Sequence, residues 1–246
     1  MNSKEIYNWL LYNQNDPDSI FLLGYFNYNG IGTTEDEAKA FPLFSHASEL
    51  GHILAQYYVG MCCQFGYGIT KNRKRAFEYY EKLANENYAI GQFSLGCLYE
   101  KGINVRKDFK IAAYLYEKAA NNGHLVAMYN LGRLHFIGDG VDENHQKVFE
   151  LYKRSAEGEY LDGILMLGYC YYFGIGIGID RLEAFKLYQK AANLGHMTAQ
   201  YNLASMYEIG DGRIEKDIGK AIYWYEQSAN QGNKNAQNKL EILKKN

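Results

Sequence analysis

Glycine recurs along this chain at a fixed distance, and few folds accept that pattern. Gly24, Gly60, Gly96, Gly132 and Gly168 are spaced by 36 residues, with Ala204 in the next slot. A second series runs Gly30, Gly66, Gly102, Gly138, Gly174 and Gly210, and a third Gly32, Gly68, Gly140, Gly176 and Gly212, with Asn104 as its exception. A fourth slot holds Asp36, Asn72, Asp108, Asn144, Asp180 and, one residue late, Asp217. A period of this length marks units that bury their apolar faces only by stacking on one another. Six units are expected at 19–54, 55–90, 91–126, 127–162, 163–198 and 199–235, with half repeats 1–18 and 236–246, as one repeat domain over 1–246.

Each unit reads as two helices. In 199–235, Ala199, Leu203, Met206 and Tyr207 recur at helical spacing and line one face. Gly210 stops that segment, and Asp217 offers a carboxylate to the free amides of a second helix, whose apolar face is Ala221, Tyr225 and Ala229. The small residue after each first-helix leucine lets the second helix come close, and a large residue fills the space beside it. The expected class is all-α. Pro42 falls inside a second helix, where it predicts a kink. At the ends, KEIYNWLLYNQN (4–15) has second-helix register and AQNKLEILKKN (236–246) repeats a first-helix opening in more polar form.

The remaining composition removes several function classes. With 26 basic and 28 acidic residues the formal charge is −2, so there is no electrostatic footprint for nucleic acid or an anionic membrane. No apolar run is long enough for a bilayer span, and the N-terminus lacks a signal-peptide core. Cys62, Cys63, Cys97 and Cys170 form neither CxxC nor a disulfide framework. These features point to a cytoplasmic protein, with delivery into a host cell as an alternative.

The segments LGRLHFIGDGV (131–141), LGYCYYFGIGI (167–177) and KAIYWYEQSANQG (220–232) resemble the Sel1-like repeat family, a branch of the tetratricopeptide-like superfamily. The resemblance covers nearly the whole chain. Departures are Asn27, Cys63 and His135 in the first-helix tyrosine slot, and Asn87 and Glu159 in place of the closing glycine. The resemblance implies a right-handed α/α superhelical solenoid acting as a non-enzymatic scaffold or adaptor for protein partners, in host-directed bacterial or viral interaction among other settings. Cysteine-rich relatives linked to β-lactam binding carry paired cysteines in each repeat; this chain lacks them, which leaves a β-lactam-binding or β-lactam-hydrolysing protein as the weaker alternative.

No local chemistry competes with that reading. GIGIGI (174–179) imitates a dinucleotide loop but follows a helix, not a strand. His52, His124 and His196 share one slot at steps of 72 residues, where each begins a repeat. No HExxH and no cysteine–histidine ligand spacing occurs, so neither metal nor cofactor is expected. Cys62 and Cys170 read as small core residues, His135 as a packed one, and KNRKR (71–75) as a solvated turn.

By the same resemblance, first helices line a concave face. Residues one before and two after the slot of the first-helix leucine then point into a groove. The candidate contacts are Tyr25, Tyr58, Met61, Asn130, Arg133, Met166, Tyr169 and Asn202, joined one turn along by Tyr172 and Glu208. Rigid tyrosines and asparagine amides suit a peptide or protein segment. The chain is expected to be a monomer, with self-assembly through its terminal half repeats or convex face as the alternative.

Overall fold

The computed structural model describes residues 2–210 and 213–243. Gly212 of the third glycine series and the end of the C-terminal half repeat lie outside the described residues. Those described hold fourteen helices and no strand. They fall into two compact units, Met1–His124 and Leu125–Asn246. The N-terminal unit contains α1 (Ser3–Tyr12), α2 (Pro17–Asn29), α3 (Glu37–Glu49), α4 (Ile53–Phe65), α5 (Arg73–Asn85), α6 (Ala89–Lys101) and α7 (Phe109–Asn121). The C-terminal unit contains α8 (Leu125–Ile137), α9 (His145–Glu157), α10 (Leu161–Phe173), α11 (Arg181–Asn193), α12 (Met197–Ile209), α13 (Ile218–Asn230) and α14 (Lys234–Leu243).

Local chemistry sets the boundaries. The Asp/Asn slot caps every second helix: Asp36 accepts from the Lys39 amide at 2.9 Å, Asn144 from Lys147 at 3.0 Å and Asp217 from Lys220 at 2.9 Å. Losing such a cap costs about 1 kcal/mol. First helices close on a left-handed residue, as at Gly174 with φ of 75°. His52 and His196 begin α4 and α12 as caps, with Nδ1 accepting from the Ala55 and Ala199 amides at 3.0 and 3.3 Å. Because Nδ1 accepts, the ring proton sits on Nε2, which faces Asp18 at 3.4 Å and Asp162 at 2.9 Å.

Packing follows the glycines. A Cβ on Gly168 would lie 2.8 Å from the Tyr188 ring, so only a very small residue lets α11 lie this close to α10. The same slot seats the buried rings of Tyr80 on Gly60, Tyr116 on Gly96 and Tyr152 on Gly132. A fully buried side chain of this class is worth about 1.5–3 kcal/mol, so one ring per hairpin supplies much of each hairpin's cohesion. The ring hydroxyls return to the first helix: Tyr80 donates to Gln64 at 3.0 Å, Tyr116 to Glu100 at 2.7 Å and Tyr225 to Glu208 at 2.5 Å.

Exceptions to the repeat are absorbed locally. The helix α3 runs unbroken through Pro42 with the same 13 residues as its counterparts, the packed Ala40, Phe44 and Ala47 holding it. Asn104, Asn87 and Glu159 take the glycine conformation, with φ of 61°, 66° and 63°. His135 is buried, its Nδ1 2.9 Å from the Asp142 carbonyl.

Candidate functional site: a tyrosine pocket on the first helices

All ten sequence-derived contact candidates lie on first helices and are half-buried. The structure does not treat them alike. In the N-terminal unit Tyr58 of α4 is a hub of rings. It lies 5.9 Å from both Tyr25 and Tyr28, 5.5 Å from Phe21 and 4.8 Å from Phe44. Burial, and next the neighbouring Tyr25, push the Tyr58 hydroxyl up to about 12. These rings fill the space between α2 and α4, and Met61 lies one turn further along α4.

In the C-terminal unit the corresponding space is open. A pocket of about 230 Å³ is walled by Tyr169, Tyr172 and Phe173 of α10, floored by Tyr188 of α11, and closed by Tyr201, Asn202, Ser205 and Met206 of α12. Phe173 stands 4.5 Å from Tyr169 and 4.8 Å from Tyr172, which makes the α10 wall continuous. Burial holds the Tyr188 hydroxyl proton well above the ordinary tyrosine range, an effect that the neighbouring Asn202 side chain opposes. None of the eight lining residues is charged. A guanidinium stands nearby, with Arg181 5.3 Å over the Tyr172 ring.

The pocket thus joins Tyr169, Tyr172 and Asn202. Asn130, Arg133 and Met166 sit on α8 and α10 outside its lining. Glu208 is engaged within the fold: its carboxylate accepts from Tyr225 and pairs with Lys239 of α14 at 2.9 Å. Those bonds, against an opposing burial effect, leave its pKa below the usual carboxylate range.

Sequence reasoning missed Phe173, Tyr188 and Tyr201, and also an exposed apolar series. Ile137, Phe173 and Ile209 end three successive first helices and are 55%, 54% and 61% exposed. The 36-residue period carried that signal, since each stands immediately before a loop glycine. The reactive-looking groups elsewhere are packing atoms. Burial pushes the Cys62 and Cys170 thiols up to about 12, which keeps them protonated. KNRKR enters α5, and Arg75 stacks on Phe41 and Tyr79 at 6.0 and 5.8 Å. Among the described residues no helix is long and apolar enough to cross a membrane.

Comparison with known proteins agrees with this geometry. A protective antigen of uropathogenic Escherichia coli strains, described as displaying an SLR fold, superposes with a TM-score of 0.79 at 28% identity, over 98% of this chain and 52% of its own. A Sel1 repeat protein from Oxalobacter formigenes gives 0.75 at 30% identity, over 87% and 85%. Chitin synthase regulatory factor 3 of Schizosaccharomyces pombe is 43% identical over 51 residues, 20% of this chain and 6% of that protein. The chain therefore spans about half of the antigen and a small part of the yeast factor. The family model described as Sel1 repeat matches six times, at 17–52, 53–88, 89–124, 125–160, 161–196 and 198–233, and the chain belongs to the Sel1 repeat family.

Proposed function

We propose that this protein is a non-enzymatic adaptor whose C-terminal unit captures a segment of a partner protein in the α10–α12 pocket. Sel1 repeat proteins generally mediate protein–protein interaction. The observation that carries the reading here is the open, uncharged, tyrosine-walled pocket. Its rings offer large contact area at little rotamer cost, and Asn202 and Ser205 supply hydrogen-bonding groups for a peptide backbone. Asn130, Arg133 and Met166 extend the same surface toward α8. In the N-terminal unit Tyr25, Tyr58 and Met61 present a closed aromatic face that supports a flatter contact.

Selection of a random-peptide library on the immobilised protein tests this. Enriched peptides are expected to bind the wild-type protein and to lose binding in the double variant Tyr169→Ala, Asn202→Ala, while the helical circular dichroism signal is kept. Equal binding to the double variant would place recognition elsewhere.

A further inference from the structure

We infer that the occupant of the α10–α12 pocket is an uncharged, proline-containing segment in the polyproline II conformation; this rests on the protein-binding reading above and specifies the partner. Charge is the first discriminator. No lining residue is charged, so a carboxylate entering the pocket would shed its hydration without a counter-charge. Aromatic walls welcome cations in general, but the Arg181 guanidinium already lies 5.3 Å over the Tyr172 face and repels a second one. A neutral side chain remains.

Size and hydrogen bonding narrow it further. At about 230 Å³ the pocket is smaller than sites that engulf small molecules, about 300–1,000 Å³. It accommodates side chains presented by a longer segment. Its polar groups are hydroxyls and the Asn202 amide, set among five aromatic rings, and aromatic-lined grooves are the surfaces on which proline-rich segments dock. A polyproline II segment exposes bare carbonyls, carries few N–H groups, and is already ordered before it binds.

The exposed Ile137, Phe173 and Ile209 recur once per hairpin at the ends of α8, α10 and α12, so a longer segment meets further apolar side chains beyond the pocket.

Fluorescence anisotropy with a labelled polyproline nonapeptide tests the assignment. Saturable binding is expected, and at least about a tenfold loss in both Asn202→Tyr, which fills the pocket, and Tyr169→Ala, which removes a wall. A glycine–serine peptide of equal length should bind at least about tenfold more weakly, because it must be ordered on binding. Three results would overturn the inference: equal affinity for the glycine–serine peptide, tighter binding of a trimethyl-lysine peptide, or affinity unchanged in both variants. If library peptides bind the pocket but the polyproline peptide does not, this inference fails and the protein-binding reading stands. If pocket variants leave library binding intact, the reading itself fails.

Discussion

In the N-terminal unit Tyr25 and Tyr28 of α2 meet Tyr58 of α4; in the C-terminal unit their counterparts in the repeat, Tyr169 and Tyr172 of α10, meet Asn202 of α12. The two places share register and three tyrosines, and differ at five of the eight lining positions: Asn29 stands where Phe173 does, Phe44 for Tyr188, Tyr58 for Asn202, Met61 for Ser205 and Cys62 for Met206. A ring at 58 reaches across to both α2 tyrosines and packs on Phe44 at 4.8 Å. The short amide at 202, with the small Ser205 beside it, leaves a pocket. The difference teaches that side-chain choice at the slots between two first helices decides whether the space there is filled with rings or left as a pocket.

The comparison breaks most visibly if the ring is removed. Tyr58→Asn should open space between α2 and α4 and destabilise the N-terminal unit by about 2 kcal/mol, below the 3–5 kcal/mol of a fully buried aromatic because Tyr58 is half-buried. Denaturant unfolding should show this as a lowered midpoint, with the C-terminal unit's hydrogen exchange unchanged. A loss spread evenly over both units would contradict independent hairpin stacking.

Closing glycines give the next contrast. Glu159 holds φ of 63° with only a surface pair to Lys190 at 3.6 Å in compensation. Glu159→Gly should therefore stabilise the C-terminal unit by about 1 kcal/mol. Its counterpart Asn87 uses the same conformation to accept from Gln92 at 2.8 Å and Asn122 at 3.2 Å. Asn87→Gly should give no gain, which thermal unfolding of the two variants would show side by side.

A smaller effect concerns a glutamine slot. Gln92 accepts from Asn122 at 3.0 Å, and Gln200 from Gln231 at 2.8 Å, each partner lying just past the following second helix. The equivalent partner of Gln56 is Glu86, whose carboxylate has no proton to give, and the buried Gln56 Oε1 has no partner. Glu86→Gln supplies the missing donor and should raise stability by about 0.5–1 kcal/mol; no change in the unfolding midpoint would refute the pairing.

The smallest expected effect is with pH. Burial pushes the His124 imidazole below its ordinary value of 6.5, so the folded N-terminal unit favours the neutral ring. That contribution is intact above 6.5 and is lost as pH falls below it, because the unfolded chain binds the proton first. His124→Gln should flatten the acid limb of N-terminal-unit stability between neutral and mildly acidic pH.

The sequence by itself determined the helices, their caps, their closing residues and the glycine–tyrosine packing. Each of these depends on residues within one hairpin, at most about twenty positions apart, so a 36-residue period displays them directly. Even the exceptions were visible as departures, although not their outcome: α3 continues through Pro42 for its full 13 residues. Only the tertiary structure decided which tyrosines are cement and which are walls. Tyr25 and Tyr169 occupy the same slot, and their own hairpins differ around them only in part, with Asn29 and Phe44 where the pocket has Phe173 and Tyr188. What further distinguishes them is what the next repeat places against them, Tyr58 and Met61 in one unit and Asn202 and Ser205 in the other, and the size of those side chains sets whether the space is filled by the fold or left open.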